Sequence, residues 1–296
     1  MNYELDQSWG DFLYQEEMKN FTSFQVGGPA DLVIRPKDEK SLIQIIKRCR
    51  EKNYNYYILG NCSNIIVHDD GFRGVIILLK HRLQDISKQD NFITAGAGAS
   101  LKAVSEYATE HSLSGLEFAH GIPGTVGGAM VMNAGAYDGE MKMVVSSVRV
   151  LTLNNEIVEL SNEEMNFRYR NSRVQDEKLV VLSTTFQLQK GNREEIRKKY
   201  EDFDKRRQEK QPLDMPSAGS TFKRPTGYFA GKLIDDSGLR GFTHRGAGVS
   251  QKHCGFVVNK GNATARDILE TIEMIQKVVY DNFGVELERE VKIIGG

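Results

Sequence analysis

Apolar and polar positions along this chain predict short strands and amphipathic helices in mixed order. Ala30 to Arg35 reads as a strand ended by Pro36. Asp38 then N-caps a helix to about Lys52, with Leu42, Ile45, Ile46 and Cys49 on one face. Tyr56 to Leu59 is a predicted strand. Ile65 to Val67 and Val75 to Leu79 are two more, with His68 to Gly71 as the turn between them. Phe92 to Ala95 precedes a helix capped by Ser100 and reaching His111. Val144 to Leu153 and Glu156 to Leu160 pattern as a hairpin closed at Asn154-Asn155. Ser161 and Glu164 form a capping box for a short helix ending near Phe167, and Val180 to Gln189 is a strand. A charged helix follows, from Asn192 to Lys210. Beyond Gln211-Pro212 come a helix from Tyr228 to Asp236 and a strand from Phe256 to Asn259. A long helix from Thr264 to Asn282 carries Ile268, Ile272, Ile275 and Val279 on one face, and Glu286 to Ile294 closes the chain as a strand.

Composition narrows the classes. The 296 residues suffice for a sizeable core and about two domains. A net charge of −1 supplies no global field toward nucleic acid or anionic lipid. The mixed-sign helix Asn192 to Lys210 therefore reads as a solvated face linking two domains rather than a nucleic-acid patch. No apolar run approaches the roughly 18 residues of a membrane span, and Met1 to Asp11 lacks a basic-then-apolar signal pattern. The three cysteines, Cys49, Cys62 and Cys254, form no CxxC, which argues against a zinc ribbon and fits a reducing cytoplasm.

Chemistry concentrates in two turns. Gly115 to Tyr137 is glycine-rich, with Gly121, Gly124, Gly127 and Gly128 around Pro123. Glycine lets a backbone approach a ligand closely, and successive bare amides make a nest for an anion such as a pyrophosphate. Upstream, the strand Tyr56 to Leu59 runs into Gly60-Asn61-Cys62-Ser63-Asn64. Ser63, Asn64 and Thr125 add small polar donors to the two turns. Two phosphate-cradling loops in one chain point to a large dinucleotide and so to a redox cofactor. Gly96-x-Gly98-x-x-Leu101 has leucine where a dinucleotide fingerprint wants glycine, and reads as an ordinary strand-to-helix turn. His244, His253 and Cys254 lack metal-ligand spacing, so no metal is expected.

Five segments in order resemble the UDP-N-acetylenolpyruvoylglucosamine reductase family: Gly60 to Asn64, Gly121 to Gly128, Tyr169-Arg170-Asn171-Ser172, Ala218 to Lys223, and Glu290-Val291. The likeness runs from about Phe21 to Ile294. It implies an α+β fold of the PCMH type, with FAD held noncovalently by Gly60, Asn61, Ser63, Asn64, Gly121, Ile122, Pro123, Gly124, Thr125, Gly127 and Gly128. It implies NADPH as hydride donor and UDP-N-acetylglucosamine enolpyruvate as acceptor. The expected domains are two FAD-binding subdomains (1–80 and 81–191), a connecting helix (192–210) and a substrate-binding domain (211–296). The protein is expected to be a cytoplasmic monomer without nucleic-acid or membrane partners. The chain looks like a shorter branch lacking a tyrosine-bearing loop over the substrate.

The chemistry such a reaction needs is a cation at the substrate carboxylate and a proton donor at the developing carbanion. The resemblance assigns Arg170, Ser220 and Glu290 as the catalytic residues. Alternation places Glu286, Glu288 and Glu290 on one strand face, and the apolar run Val291 to Ile294 suggests burial that would raise the Glu290 pKa. Lys210, Lys223 and Arg224 are candidates for the substrate diphosphate. Tyr137 reads equally as a flavin neighbour or a core residue, and His120 as a packed residue rather than a covalent flavin link. Two rivals remain at this level. One is another PCMH-type FAD oxidase for a sugar or hydroxy acid; the other is a nucleotide-binding module without redox chemistry.

Overall fold

The computed structural model describes residues 3–296; Met1 and Asn2, which begin the acidic N-terminal stretch, lie outside the described residues. The chain forms two compact units. The first comprises the chain up to Leu13, Val33–Asn61 and Val75–Arg207; the second comprises Tyr14–Leu32, Cys62–Gly74 and Gln208–Gly296.

In the first unit, α1 (Glu39–Glu51) starts where Asp38 Oδ1 accepts the Ser41 amide at 2.7 Å. Its apolar face, Leu42, Ile45, Ile46 and Cys49, is fully buried. The strand Tyr56–Leu59 pairs in parallel with Phe72–Leu78, from Tyr56 opposite Val75 to Leu59 opposite Leu78. A five-stranded antiparallel sheet runs in the order Ile157–Ser161, Val145–Leu151, Val180–Gln187, Phe92–Gly96, Ile86–Gln89. It contributes Ile93, Ala95, Val148, Val150, Leu182 and Phe186 to the core. Ser100 caps α2 (Leu101–Glu110), and Thr125 caps α3 (Val126–Met132), which ends at Asn133 in the left-handed region. The short α4 (Arg173–Asp176) and the charged α5 (Arg193–Lys210) complete the helices of this part of the chain.

In the second unit, α6 (Ala230–Asp236) and α7 (Ala265–Phe283) share one core with a three-stranded antiparallel sheet, Thr243–His244, Ala247–Val249 and Val257–Asn259. Ile268, Ile272, Ile275 and Val279 of α7 are fully buried there, beside Phe222, Ile234, Val249 and Val257. Thr264 and Asp267 form a complete capping box, and the Asp69 carboxylate accepts the Ala265 and Arg266 amides at 2.8 and 2.9 Å. The start of α7 is thus satisfied from two places in the sequence.

Three expected elements differ. The closing strand is Lys292–Ile294, paired in parallel with Ile65–Val67, and does not extend back to Glu286. Over 286–290 the Leu287 carbonyl is taken by the Gln276 side chain at 2.7 Å, and Phe222 with Arg289 makes an isolated bridge. The alternation expected for Glu286, Glu288 and Glu290 therefore has no continuous strand behind it. Ile65–Val67 and Phe72–Leu78 also do not pair with each other as a hairpin; each has a different parallel neighbour. The Ser161–Glu164 box forms in both directions, at 2.8 and 3.3 Å, yet it caps a turn and not a helix. The strand Gly10–Glu17 went unrecognised because none of its residues is fully buried, so it carries no clean apolar alternation. Among the described residues no helix is long and apolar enough to cross a membrane.

Two outcomes follow from the cores. Ile272→Ala is expected to cost about 2–5 kcal/mol, read as a lowered urea midpoint. Burial pushes the Cys49 thiol up to about 12 from an ordinary value of 9.0. The unfolded chain therefore loses that proton first, and stability should decline as pH rises above about 9. Wild type should show this decline more steeply than Cys49→Ala in urea titrations across that range; identical slopes would contradict it.

Candidate functional site

Gly60 and Asn61, at the start of the first turn, meet the second glycine turn within the first unit. A Cβ built on Gly60 would lie 2.1 Å from Thr125 Oγ1, so only glycine permits this approach. Asn61 Nδ2 donates to the Pro123 carbonyl at 2.9 Å. Thr125 in turn caps α3 by accepting the Gly128 amide at 3.4 Å. Several amides of the second turn are engaged by the protein itself. Ile122 donates to Ala119, Gly124 to Ile122, Val126 to Ala99 and Gly127 to Ala97. The amides of Asn61, Ser63, Asn64, Gly121 and Thr125 have no acceptor among the described residues. The available donors are thus fewer than the glycine count suggests.

Two observations fit a diphosphate here. Gly124 and Gly128 are not required by packing within the protein, since a Cβ on either would have its nearest heavy atoms at 3.7 and 3.6 Å. Their bare backbone leaves space that a ligand would use. Beside Gly121 lies Arg207, whose Nε is buried without a partner among the described residues and would sit 3.0 Å from a Gly121 Cβ. A buried, unsatisfied guanidinium nitrogen next to a glycine turn suits an anion. Arg207 escaped the sequence reading because it stands in a run of mixed charges.

Arg170 sits at the tip of a tight turn in the first unit. Arg168 and Asn171 exchange backbone hydrogen bonds at 3.0 and 3.1 Å, and Arg170 adopts φ +55, the left-handed region. A non-glycine residue held there signals local strain, which clusters at functional positions. The turn is anchored by buried Asn133, whose Nδ2 donates to the Arg168 carbonyl at 3.2 Å and to Glu140 at 3.0 Å. Ser172 Oγ donates to the Val131 carbonyl of α3 at 3.2 Å. The segment is not extended: the chain turns between Arg168 and Asn171. Arg168 pairs with Asp176, and the Arg170 guanidinium lies 4.9 Å from the Tyr169 ring centre.

Ser220 and Glu290 are brought together in the second unit by Thr221. The buried Thr221 donates its amide to Gly255, accepts the Val257 amide on Oγ1 and accepts the Glu290 amide on its carbonyl, each at 2.9 Å. Ser220 itself is exposed, next to Gly219 at φ +76. Asn64 joins the same constellation, since its Nδ2 donates to the Glu290 carbonyl at 3.3 Å. His253 accepts the Gly255 amide on Nδ1 at 3.1 Å, and burial pulls its imidazole below the usual range. Thr221 was missed because nothing in a Gly-Ser-Thr run marks which hydroxyl is structural.

Of the diphosphate candidates, Lys223 is paired with Glu288, and the Arg224 guanidinium stacks 3.9 Å from the Phe229 ring centre. Lys210 ends α5 and is exposed. Within the first unit α5 is more than a solvated link. Tyr200 stacks on His120 at 4.1 Å, and Phe203 stacks on Tyr137 at 4.4 Å, with Tyr137 Oη donating to the Phe203 carbonyl at 2.9 Å. Tyr137 is thereby engaged by α5. The stripe Ile196, Tyr200, Phe203, Arg207 has helical spacing and was the available signal.

Comparison with known proteins supplies the family. Residues 30–161 match the family model described as an FAD binding domain, and residues 211–294 match the C-terminal domain of UDP-N-acetylenolpyruvoylglucosamine reductase. The protein of that name from Caldanaerobacter subterraneus subsp. tengcongensis is 52% identical, covering 97% of this chain and 94% of its own. The one from Clostridioides difficile is also 52% identical, over 96% and 94%. The crystal structure of the reductase from Thermus caldophilus is 32% identical and superposes with a TM-score of 0.81, covering 97% of this chain and 99% of that one. The α+β fold is thus of the PCMH type expected. With half its residues shared with such relatives along nearly its whole length, the chain belongs to the UDP-N-acetylenolpyruvoylglucosamine reductase family.

Proposed function

We propose that this protein reduces UDP-N-acetylglucosamine enolpyruvate to UDP-N-acetylmuramate, with FAD as bound cofactor and NADPH as hydride donor, in peptidoglycan precursor synthesis. The near-complete family match carries this reading, and the interlocked glycine turns support it. When bound, FAD supplies hydride transfer from the nicotinamide to the terminal alkene carbon of the substrate.

The chain's own residues then have three tasks. Negative charge builds on the carbon next to the one that receives hydride and spreads into the attached carboxylate. Arg170 is assigned to that carboxylate, because a guanidinium stays charged and grips two oxygens at once. The Ser220 hydroxyl gives its proton to the charged carbon, which completes saturation of the double bond. Glu290, whose amide is bonded to the residue after Ser220, is assigned as the acid that supports this transfer. Lys210, Lys223 and Arg224 are assigned to the substrate diphosphate as a group. Residues 211–296 serve as the substrate-binding domain, and the donor and acceptor occupy the flavin by turns.

Two measurements test this. Ser220→Ala is expected to bleach normally with NADPH in a stopped-flow spectrometer. Its yellow colour should then fail to return on adding the enolpyruvyl substrate; return at the wild-type rate removes Ser220 from the mechanism. Gly60→Ala forces a methyl group against the Thr125 side chain and should weaken FAD retention by at least about tenfold, roughly 1.4 kcal/mol. Unchanged retention by equilibrium dialysis would separate this turn from flavin binding.

A further inference from the structure

His120 stands outside the chemistry assigned above, yet it is 7% exposed and immediately precedes the second glycine turn. Its ring is held on three sides within the first unit. The face stacks on Tyr200 of α5 at 4.1 Å and 12° between planes. Nδ1 lies 2.7 Å from Asp204 Oδ2, a short ion-pair approach that is not aligned as a hydrogen bond, and Nε2 lies 3.5 Å from Glu106 Oε1 of α2. Both ring nitrogens therefore face carboxylates.

The same stretch of α5 reaches the glycine turn. Tyr200 and Asp204 are four residues apart and Asp204 and Arg207 three, so all three side chains lie on one helix face. The space beside Gly121 is filled by Asp204 and Arg207, at 2.7 and 3.0 Å from a hypothetical Cβ. One carboxylate thus touches both the His120 ring and the turn, and the next cation along the helix has a buried Nε without a partner.

We infer that His120 is a positioning residue for the flavin diphosphate turn. Its clamp to Tyr200 and Asp204 fixes Gly121 against α5 and holds the Arg207 guanidinium where a phosphate is received. The inference rests on the FAD reading above and goes beyond it, because it gives the charged helix a part in cofactor retention.

The test follows FAD release from the holoprotein, as the gain of flavin fluorescence after dilution. His120→Phe keeps an aromatic stack on Tyr200 and removes the ring nitrogens that face the carboxylates; Asp204→Asn removes the charge of the other partner. Each should release FAD about tenfold faster than wild type, and the double variant no faster than either single one. Asp204→Glu, which keeps a carboxylate in reach, should restore slow release. Equal rates in all proteins, or additive effects in the double variant, would overturn the inference. A lowered melting temperature of the apoprotein with wild-type release would overturn it as well, by reducing the cluster to packing. Should His120→Phe fail to fold, the Asp204→Asn and Asp204→Glu pair decides alone. A wild-type protein that never retains FAD would sink the flavoprotein reading itself, an outcome visible before any variant is made.

Discussion

The organisation of the first unit depends on an absent methyl group. Because Gly60 has no side chain, the Thr125 hydroxyl reaches the backbone at the end of the strand Tyr56–Leu59. Two turns about sixty residues apart then behave as one structure, pinned again by Asn61 on Pro123. The same threonine begins α3, and α3 supplies both Asn133 and the Val131 carbonyl that hold the Arg170 turn. The glycine turns and the Arg170 turn are therefore linked through the seven residues of α3. Errors of an ångström at the first would be passed to the second, and positioning on that scale decides much of an enzyme's rate.

The second unit uses a different device. Thr221 is buried and spends its amide, hydroxyl and carbonyl on three separate partners. Satisfying every polar group of one residue fixes it with little freedom left. Its neighbour Ser220 is exposed, so an accessible hydroxyl projects from a fixed base. Asn64 adds to this by holding the Glu290 carbonyl.

What the sequence revealed depended on range. The caps at Asp38 and Ser100 were legible because each partner lies within three residues. The glycine turns were legible because their composition is unusual, and the family because short motifs resemble it. The Asp69 cap on α7 and the Asn64 bond to Glu290 were not, since their partners lie 196 and 226 residues away. The docking face of α5 could have been found from the spacing of Ile196, Tyr200 and Phe203, but the surrounding charges masked it. The closing strand was overextended because alternating glutamates imitate a period of two without the paired backbone that makes a strand.

The left-handed Arg170 sets stability against use. Glycine or asparagine would relieve that backbone conformation, and a screen that rewards only thermal resistance would accept either. The relaxed variant would be a sturdier protein with no guanidinium at the turn. Attempts to harden this chain by consensus or by directed selection should therefore hold position 170 fixed, because there the easiest gain in robustness removes the cation to which the proposed function assigns the substrate carboxylate.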